Sequence, residues 1–311
     1  MSNLNGMEYP RNQMEFERVF ASEQDCLKYL IEVKWPNGFC CNNCGSKDYW
    51  LLSRKRVKCK NCSAEITVTA DTFFSQSNKP LSMWFRAIWW MIAQKSGISA
   101  SGLQAILGLG SYKTAWVWVH KLRSLMVFPN REKLSGKIEI DETLIGGPAE
   151  GKRGRGADNK TLVLIAVEIL PKGTGRIRVE TSPDASGYSI MQFIRKNVEL
   201  GSTIVSDGWT GYSFVSSSGY NHVMKKSRKS LQEGEELLPN VHRAAALTKR
   251  WLLGTHQNYA SPERLQKYLD EFTFRYNRRK SKSRGLLFHR VIEQAVIRAP
   301  VLSRKILDNS Q

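Results

Sequence analysis

The chain has 311 residues, enough for two or three domains, and its 41% hydrophobic content excludes global disorder. A net charge of +19, from 47 Lys and Arg against 28 Asp and Glu, points to a polyanionic partner. The first eighteen residues lack the apolar core of a secretory signal, and the most apolar stretch, 84–93, contains Arg86 and is too short to span a bilayer. The expectation is a cytoplasmic, nucleoid-associated protein without membrane contact, whose six cysteines ligate metal rather than pair as disulfides.

Residues 1–36 read as a helical lead-in, with Phe16, Phe20, Cys26, Leu27, Leu30 and Ile31 forming a partial apolar stripe that Pro36-Asn37-Gly38 stops. Residues 37–75 are turn-rich and contain Cys41-x-x-Cys44 and Cys59-x-x-Cys62. Each CxxC forms a tight knuckle, and two knuckles complete a tetrahedral zinc shell, with Trp50–Lys58 supplying a hairpin between them. Four thiolates leave no open coordination position, so this zinc is structural. Cys40 could compete for the site through a less favourable CxxxC knuckle, and Cys26 reads as core. The basic residues Arg54, Lys55, Arg56, Lys58 and Lys60 read either as a nucleic-acid surface or as a solvated hairpin.

Residues 76–130 carry three helical patterns. Leu81–Ser96 is rich in Trp and Ile; Ser99–Leu107 ends at Gly108; Ser111–Met126 opens on a Ser cap. The last two read as a helix-turn-helix for DNA. After Pro129-Asn130 the pattern turns to strands at Lys137–Asp141, Thr161–Leu170 and Arg176–Thr181. A helix at Tyr188–Leu200, strands at Thr203–Asp207 and Tyr220–Lys225, and helices at Val241–Leu253 and Pro262–Tyr276 follow. This order fits an α/β fold with an RNase-H-like catalytic domain over 131–285, trailed by a C-terminal helical tail at 286–311. The glycine-rich basic loop at 146–156 opens no helix, which excludes a P-loop; it reads as a DNA-contact or disordered segment.

Two aspartates close strand patterns in this region, Asp141 and Asp207. On adjacent parallel strands both would reach one divalent ion, and hard oxygen ligands suit magnesium or manganese. Such ions activate water or a 3′-hydroxyl and stabilise the leaving oxygen. His242 and Lys249 are seven residues apart, nearly two helical turns, and so share a face. Lys249 is placed to hold a phosphate near the metals. His242 is read as a nitrogen ligand or as a group that orients the nucleophile; the competing reading is a capping or surface residue after Pro239-Asn240. The segment Phe272–Arg279 interleaves aromatics with Arg275, Arg278 and Arg279, a pattern able to grip backbone phosphates, although Phe272 and Tyr276 at helical spacing read as core.

Several segments in order resemble bacterial insertion-sequence transposases of the zinc-ribbon DDE type, the ISXO-like group. They are Trp35-Pro-Asn-Gly-Phe with Cys41-x-x-Cys44-Gly, Gly97-Ile-Ser-Ala, Tyr112-Lys-Thr-Ala-Trp116, Ile140-Asp-Glu-Thr-Leu-Ile-Gly-Gly147, Ser206-Asp-Gly-Trp209, Val241-His-Arg243, Lys249–His256 and Tyr268 through Arg279. The resemblance implies an RNase-H-like fold, divalent metals, cleavage at element ends and strand transfer of the 3′-hydroxyl to target DNA; because two terminal inverted repeats need two active sites, a homodimer on the DNA is expected. It places Asp141 and Asp207 at the first two acids, His242 at the third and Lys249 at the following basic position. Histidine at the third position departs from the DDE pattern. Glu233, Glu235 and Glu236, just upstream, offer a second source of a carboxylate. The competing reading is a non-catalytic zinc-ribbon and helix-turn-helix regulator, or an inactive transposase copy.

Overall fold

The structure, a computed structural model, describes residues 9–128, 131–146, 160–225, 237–256 and 262–308. In chain order its first elements are α1 (Gln13–Val19), α2 (Glu23–Lys34), β1 (Tyr49–Leu51), β2 (Arg56–Cys59), β3 (Glu65–Thr67), α3 (Leu81–Ala93), α4 (Ala100–Leu107) and α5 (Tyr112–Arg123). There follow β4 (Lys137–Gly146), β5 (Lys160–Ile169), β6 (Thr174–Ser182), α6 (Gly187–Asn197), β7 (Thr203–Ser206) and β8 (Asn221–Met224). The chain closes with α7 (Pro239–His256), α8 (Pro262–Asn277), α9 (Arg284–Ile297) and α10 (Ser303–Asp308). These elements form two compact units, one from residues 1–125 and 281–311, the other from 126–280.

The first unit is built on aromatic packing. Phe16 stacks on Trp89 at 4.6 Å, and Phe288 of α9 meets Phe16, Phe20, Phe85 and Trp89. The C-terminal segment, set apart as a tail in the sequence, therefore supplies a ring to the centre of the N-terminal helices. Trp84 and Trp118 lie face to face, 3.7 Å between centroids. Helix α2 starts with a capping box in which Ser22 and Asp25 satisfy each other's amides. Helix α3 starts at Pro80 with no side-chain cap of its own. The Glu23 carboxylate accepts from the Leu81 and Ser82 amides instead, at 2.7 and 2.9 Å. The Ser111 cap expected for α5 makes no side-chain hydrogen bond to the helix. Most of α5 is buried, leaving Ser111, Tyr112 and Lys113 exposed at its start.

The second unit is a five-stranded sheet in the order β6-β5-β4-β7-β8. Strands β4, β5 and β6 are antiparallel, while β4–β7 and β7–β8 are parallel. Three sequential strands, a crossover helix and a strand beside the first is the RNase-H-like arrangement read from the sequence. β5 is an interior strand and is buried along most of its length because helices cover both faces. Ile138, Ile140 and Ile204 pack with α6 residues on one face; Ile145, Val205, Val241 and Leu269 pack on the other. The outer edge of β6 is closed by two amides of α8. Gln266 accepts from Thr181 N at 2.8 Å and donates to Val179 O, and Asn277 accepts from Ile177 N at 2.7 Å and donates to Ile177 O.

One boundary differs in consequence from the sequence reading. Asp141 does not end its strand: β4 continues to Gly146, pairing residue by residue with β5. The polar run Asp141-Glu142-Thr143 looks like a turn, yet the antiparallel partner satisfies its backbone.

Candidate catalytic centre and cysteine site

β4 and β7 run parallel with Glu139 opposite Val205 as their last paired positions. Asp141 and Asp207 each lie two residues beyond that pair. Alternation along a strand carries Glu139 and Asp141 to the face of Val205 and Ile145, the face covered by α7. There His242 Nε2 stands 3.3 Å from Asp141 Oδ2, with both side chains partly open to solvent. That spacing is close to the edge, about 3.0 Å, of an octahedron with metal–ligand bonds of about 2.1 Å. One oxygen and one nitrogen donor thus lie at a spacing that two neighbouring ligands of one divalent ion would have. The Asp207 carboxylate turns into its own loop, accepting from Trp209 N at 2.9 Å. Among the described residues, Asp207 does not join Asp141 and His242 in a three-ligand cluster.

The start of the helix that carries His242 is held by Glu139, a residue that the reading of the sequence passed over. Glu139 is buried and accepts three hydrogen bonds at the start of α7, from Asn240 N at 2.7 Å, Asn240 Nδ2 at 2.9 Å and Val241 N at 2.9 Å. A carboxylate at a helix N-terminus satisfies amides that have no intrahelical acceptor and faces the positive end of the helix dipole. Asp141 sits two residues along the strand and His242 one residue past Val241, so this carboxylate ties the strand that carries Asp141 to the start of the helix that carries His242. The signal was present as a charge between two core isoleucines, Ile138 and Ile140.

Lys249 lies two turns along α7 and is exposed, with no hydrogen bond or ion pair among the described residues. Partial desolvation lowers its ammonium below the usual lysine range, and the charge of Lys160 at the start of β5 adds to this. Glu233, Glu235 and Glu236 and most of the basic loop lie outside the described residues. Two polar contacts near the aspartates were not anticipated. The Ser206 hydroxyl is 2.8 Å from His222 Nε2, and Tyr212 donates to Glu142 at 3.2 Å.

The four ribbon cysteines converge: their sulfurs all lie within 4.8 Å of one another. Cys41–Cys62 and Cys44–Cys59 are each 3.6 Å apart. A ZnS4 tetrahedron with bonds of about 2.3 Å has edges of about 3.8 Å, so the cluster fits structural zinc. The knuckles repeat each other. Gly45 N and Ser63 N donate back to Cys41 O and Cys59 O, and both residues take positive φ, +71° and +59°. Asn43 and the Ala64 amide hold the Cys62 thiol down to about 6, while the adjacent Cys41 thiol, 3.6 Å away, is pushed up to about 11, as thiols that share protons without a metal must be. Cys40 faces away toward Gly45 O, and buried Cys26, its thiol pushed up to about 12 by burial, belongs to the core.

Much of the basic character expected to face nucleic acid is used internally. Lys55 donates to the carbonyls of Ser77 and Lys79, and Arg56 pairs with Glu65. Arg275 pairs with the fully buried Glu271 at 2.8 Å, and Arg279 donates to Thr174 and Gly175. Phe272 and Tyr276 are core, as their spacing indicates.

Residues 133–277 match the model of the ISXO2-like transposase domain, and residues 21–65 match the transposase zinc-ribbon domain. The chain belongs to the zinc-ribbon DDE transposases of the ISXO2-like type. The transposase domain ends at Asn277, the last residue of α8, and the ribbon match takes in both knuckles. Among solved structures, the transposase is similar to the catalytic core domain of BIV integrase at 17% identity and a TM-score of 0.29, over 44% of this chain and 81% of that one. No curated protein matches the transposase. No described helix is long and apolar enough to cross a membrane.

Proposed function

We propose that this transposase cuts DNA at the ends of its element and joins the freed 3′-hydroxyl to target DNA. The observation that supports the reading is the approach of His242 to Asp141 at 3.3 Å, with Asp207 just past the end of the strand paired parallel to that of Asp141. Asp141, Asp207 and His242 would hold the divalent ions, magnesium or manganese. Bound there, such ions supply an activated nucleophile and stabilise the leaving oxygen in phosphoryl transfer. Asp207 must give up its contact with the Trp209 amide, or share it, to serve as a ligand. Lys249, solvent-facing on the same helix, is assigned to a DNA phosphate near the scissile bond.

The remaining segments take supporting roles in this reading. The zinc ribbon (37–75) and the helix-turn-helix region (76–130) recognise the terminal inverted repeats, α5 presenting its exposed first turn. Residues 131–285 do the chemistry, between the lead-in (1–36) and the C-terminal helical segment (286–311). Two ends need two active sites, so a homodimer assembles on DNA, in a cytoplasmic, nucleoid-associated protein. A non-catalytic regulator is not favoured, because it leaves the matched domain at 133–277 without a task.

The test is cleavage of labelled element-end DNA by purified protein with magnesium or manganese, wild type against Asp207→Ala. Metal-dependent nicking that the substitution abolishes supports the reading. Binding without nicking, in both proteins and both metals, overturns it.

A further inference from the structure

The second unit contains a cavity of about 300 Å³ whose lining includes Arg131, Arg176, Arg178, Thr273, Phe274 and Arg278. Ion pairs tie two of these arginines to nearby acids. Arg131 is matched by Glu180 at 3.0 Å, but Glu180 also serves Lys196 at 2.8 Å. Arg176 is matched by Glu168 at 2.7 Å and Glu132 at 3.0 Å. The Arg278 guanidinium lies 4.1 Å from the centre of the Phe274 ring. Arg178 is different. It is 3% exposed, donates only to the backbone carbonyls of Ile177 and Glu132, and forms no ion pair among the described residues. Its Nε has no partner, and neither has the hydroxyl of Thr273, also 3% exposed.

A buried guanidinium without an anion is a costly state. Burial lowers the Arg178 pKa to about 10, and the charges of Arg131 and Arg176 push it the same way, against a smaller upward pull from Glu168 and Glu180. A small oxyanion in the cavity would give Arg178 the anion it lacks and the Thr273 hydroxyl an acceptor. A carboxylate matches one guanidinium fork, whereas a phosphate offers oxygens in several directions to arginines on different elements. We propose that this cavity is a phosphate-binding site in which Arg178 provides the buried positive charge and Arg131, Arg176 and Arg278 surround the bound group. The phosphate assignment rests on charge balance and the cavity alone. Only its supply by a DNA backbone rests on the transposase reading; the other source is free phosphate.

The experiment uses the full-length protein and inorganic phosphate, followed by thermal melts and calorimetry, with chloride and acetate at matched ionic strength. Phosphate is expected to raise Tm saturably, while acetate and chloride do not. Arg178→Met should lose that response yet melt no lower than wild type in chloride, since an unanswered buried charge has gone. Should that variant fail to fold, Arg278→Met, at a half-buried position, reads the same site, with phosphate affinity falling roughly ten-fold. A second arm separates the sources with a labelled DNA duplex. If DNA supplies the phosphate, free phosphate competes and Arg278→Met lowers the slope of log affinity against log salt by about 0.9. If free phosphate is the ligand, that slope is unchanged while the phosphate response persists. An equal response to acetate, or a phosphate response retained in both variants, overturns the proposal. None of these readouts depends on cleavage, so a failed Asp207→Ala test leaves them intact.

Discussion

At the scale of single residues, His242 and Ser63 carry the sharpest expectations. Imidazole is neutral and softer than carboxylate, so a site made of Asp141, Asp207 and His242 should hold magnesium poorly and manganese better. His242→Glu is expected to shift activity toward magnesium, measured as the ratio of nicking rates in the two metals; an unchanged ratio would remove His242 from the ligand set. Ser63 holds the left-handed conformation that Gly45 holds in the other knuckle. A side chain there is strained, so Ser63→Gly should stabilise the zinc-loaded ribbon by about 0.5–1 kcal/mol, after loss of some unfolded-state entropy advantage. Competition with a zinc chelator would show it as slower metal loss. Residue spacing made the cysteine cluster legible from sequence, because a CxxC constrains its own geometry. It did not reveal Glu139, whose role depends on a helix 101 residues away.

At the scale of elements, two helices share one device. α3 and α7 start at or just after a proline, and each is capped by a glutamate from elsewhere in its unit, Glu23 for α3 and Glu139 for α7. Such caps escape any local reading of helix signals, which inspects only the few residues before the first turn. Glu139→Ala should destabilise the second unit by roughly 2–3 kcal/mol, because it leaves buried amides without an acceptor. It should also lower cleavage by moving His242 relative to Asp141, and Glu139→Gln should recover part of both losses. Urea midpoints and nicking rates report the two effects separately; normal cleavage in the alanine variant would show that α7 is positioned by packing alone. Strand order was legible because apolar alternation and helix periodicity differ so clearly along 137–277. The true end of β4 was not, since pairing with β5 overrides the turn-like composition after Asp141.

At the scale of the whole molecule, connectivity matters more than composition. The +19 charge marks a polyanion partner in general terms, but several cations in the ribbon and in α8 are committed to internal contacts. Net charge therefore overstates the surface available to DNA. The first unit is assembled from two separated stretches, 1–125 and 281–311, with the second unit between them. Phe288 fills the aromatic centre, and Phe73 N donates to Ala295 O at 2.8 Å. Truncation after Lys280 should therefore cost the first unit its cooperative unfolding while the sheet of the second unit survives. Limited proteolysis would read this as rapid loss of fragments from 9–125 beside a persistent 126–280 core, whereas equal survival of both would contradict it.

That connectivity bears on the order in which the protein matures. α9 leaves the ribosome only after the entire second unit has been made. The nascent chain can complete its β-sheet and close its edge with α8 while the aromatic centre of the first unit still lacks Phe288. Domains usually consolidate from the N-terminus during synthesis. Here the unit that begins first is the one that finishes last, and its exposed rings are the part of the newborn chain most in need of a chaperone.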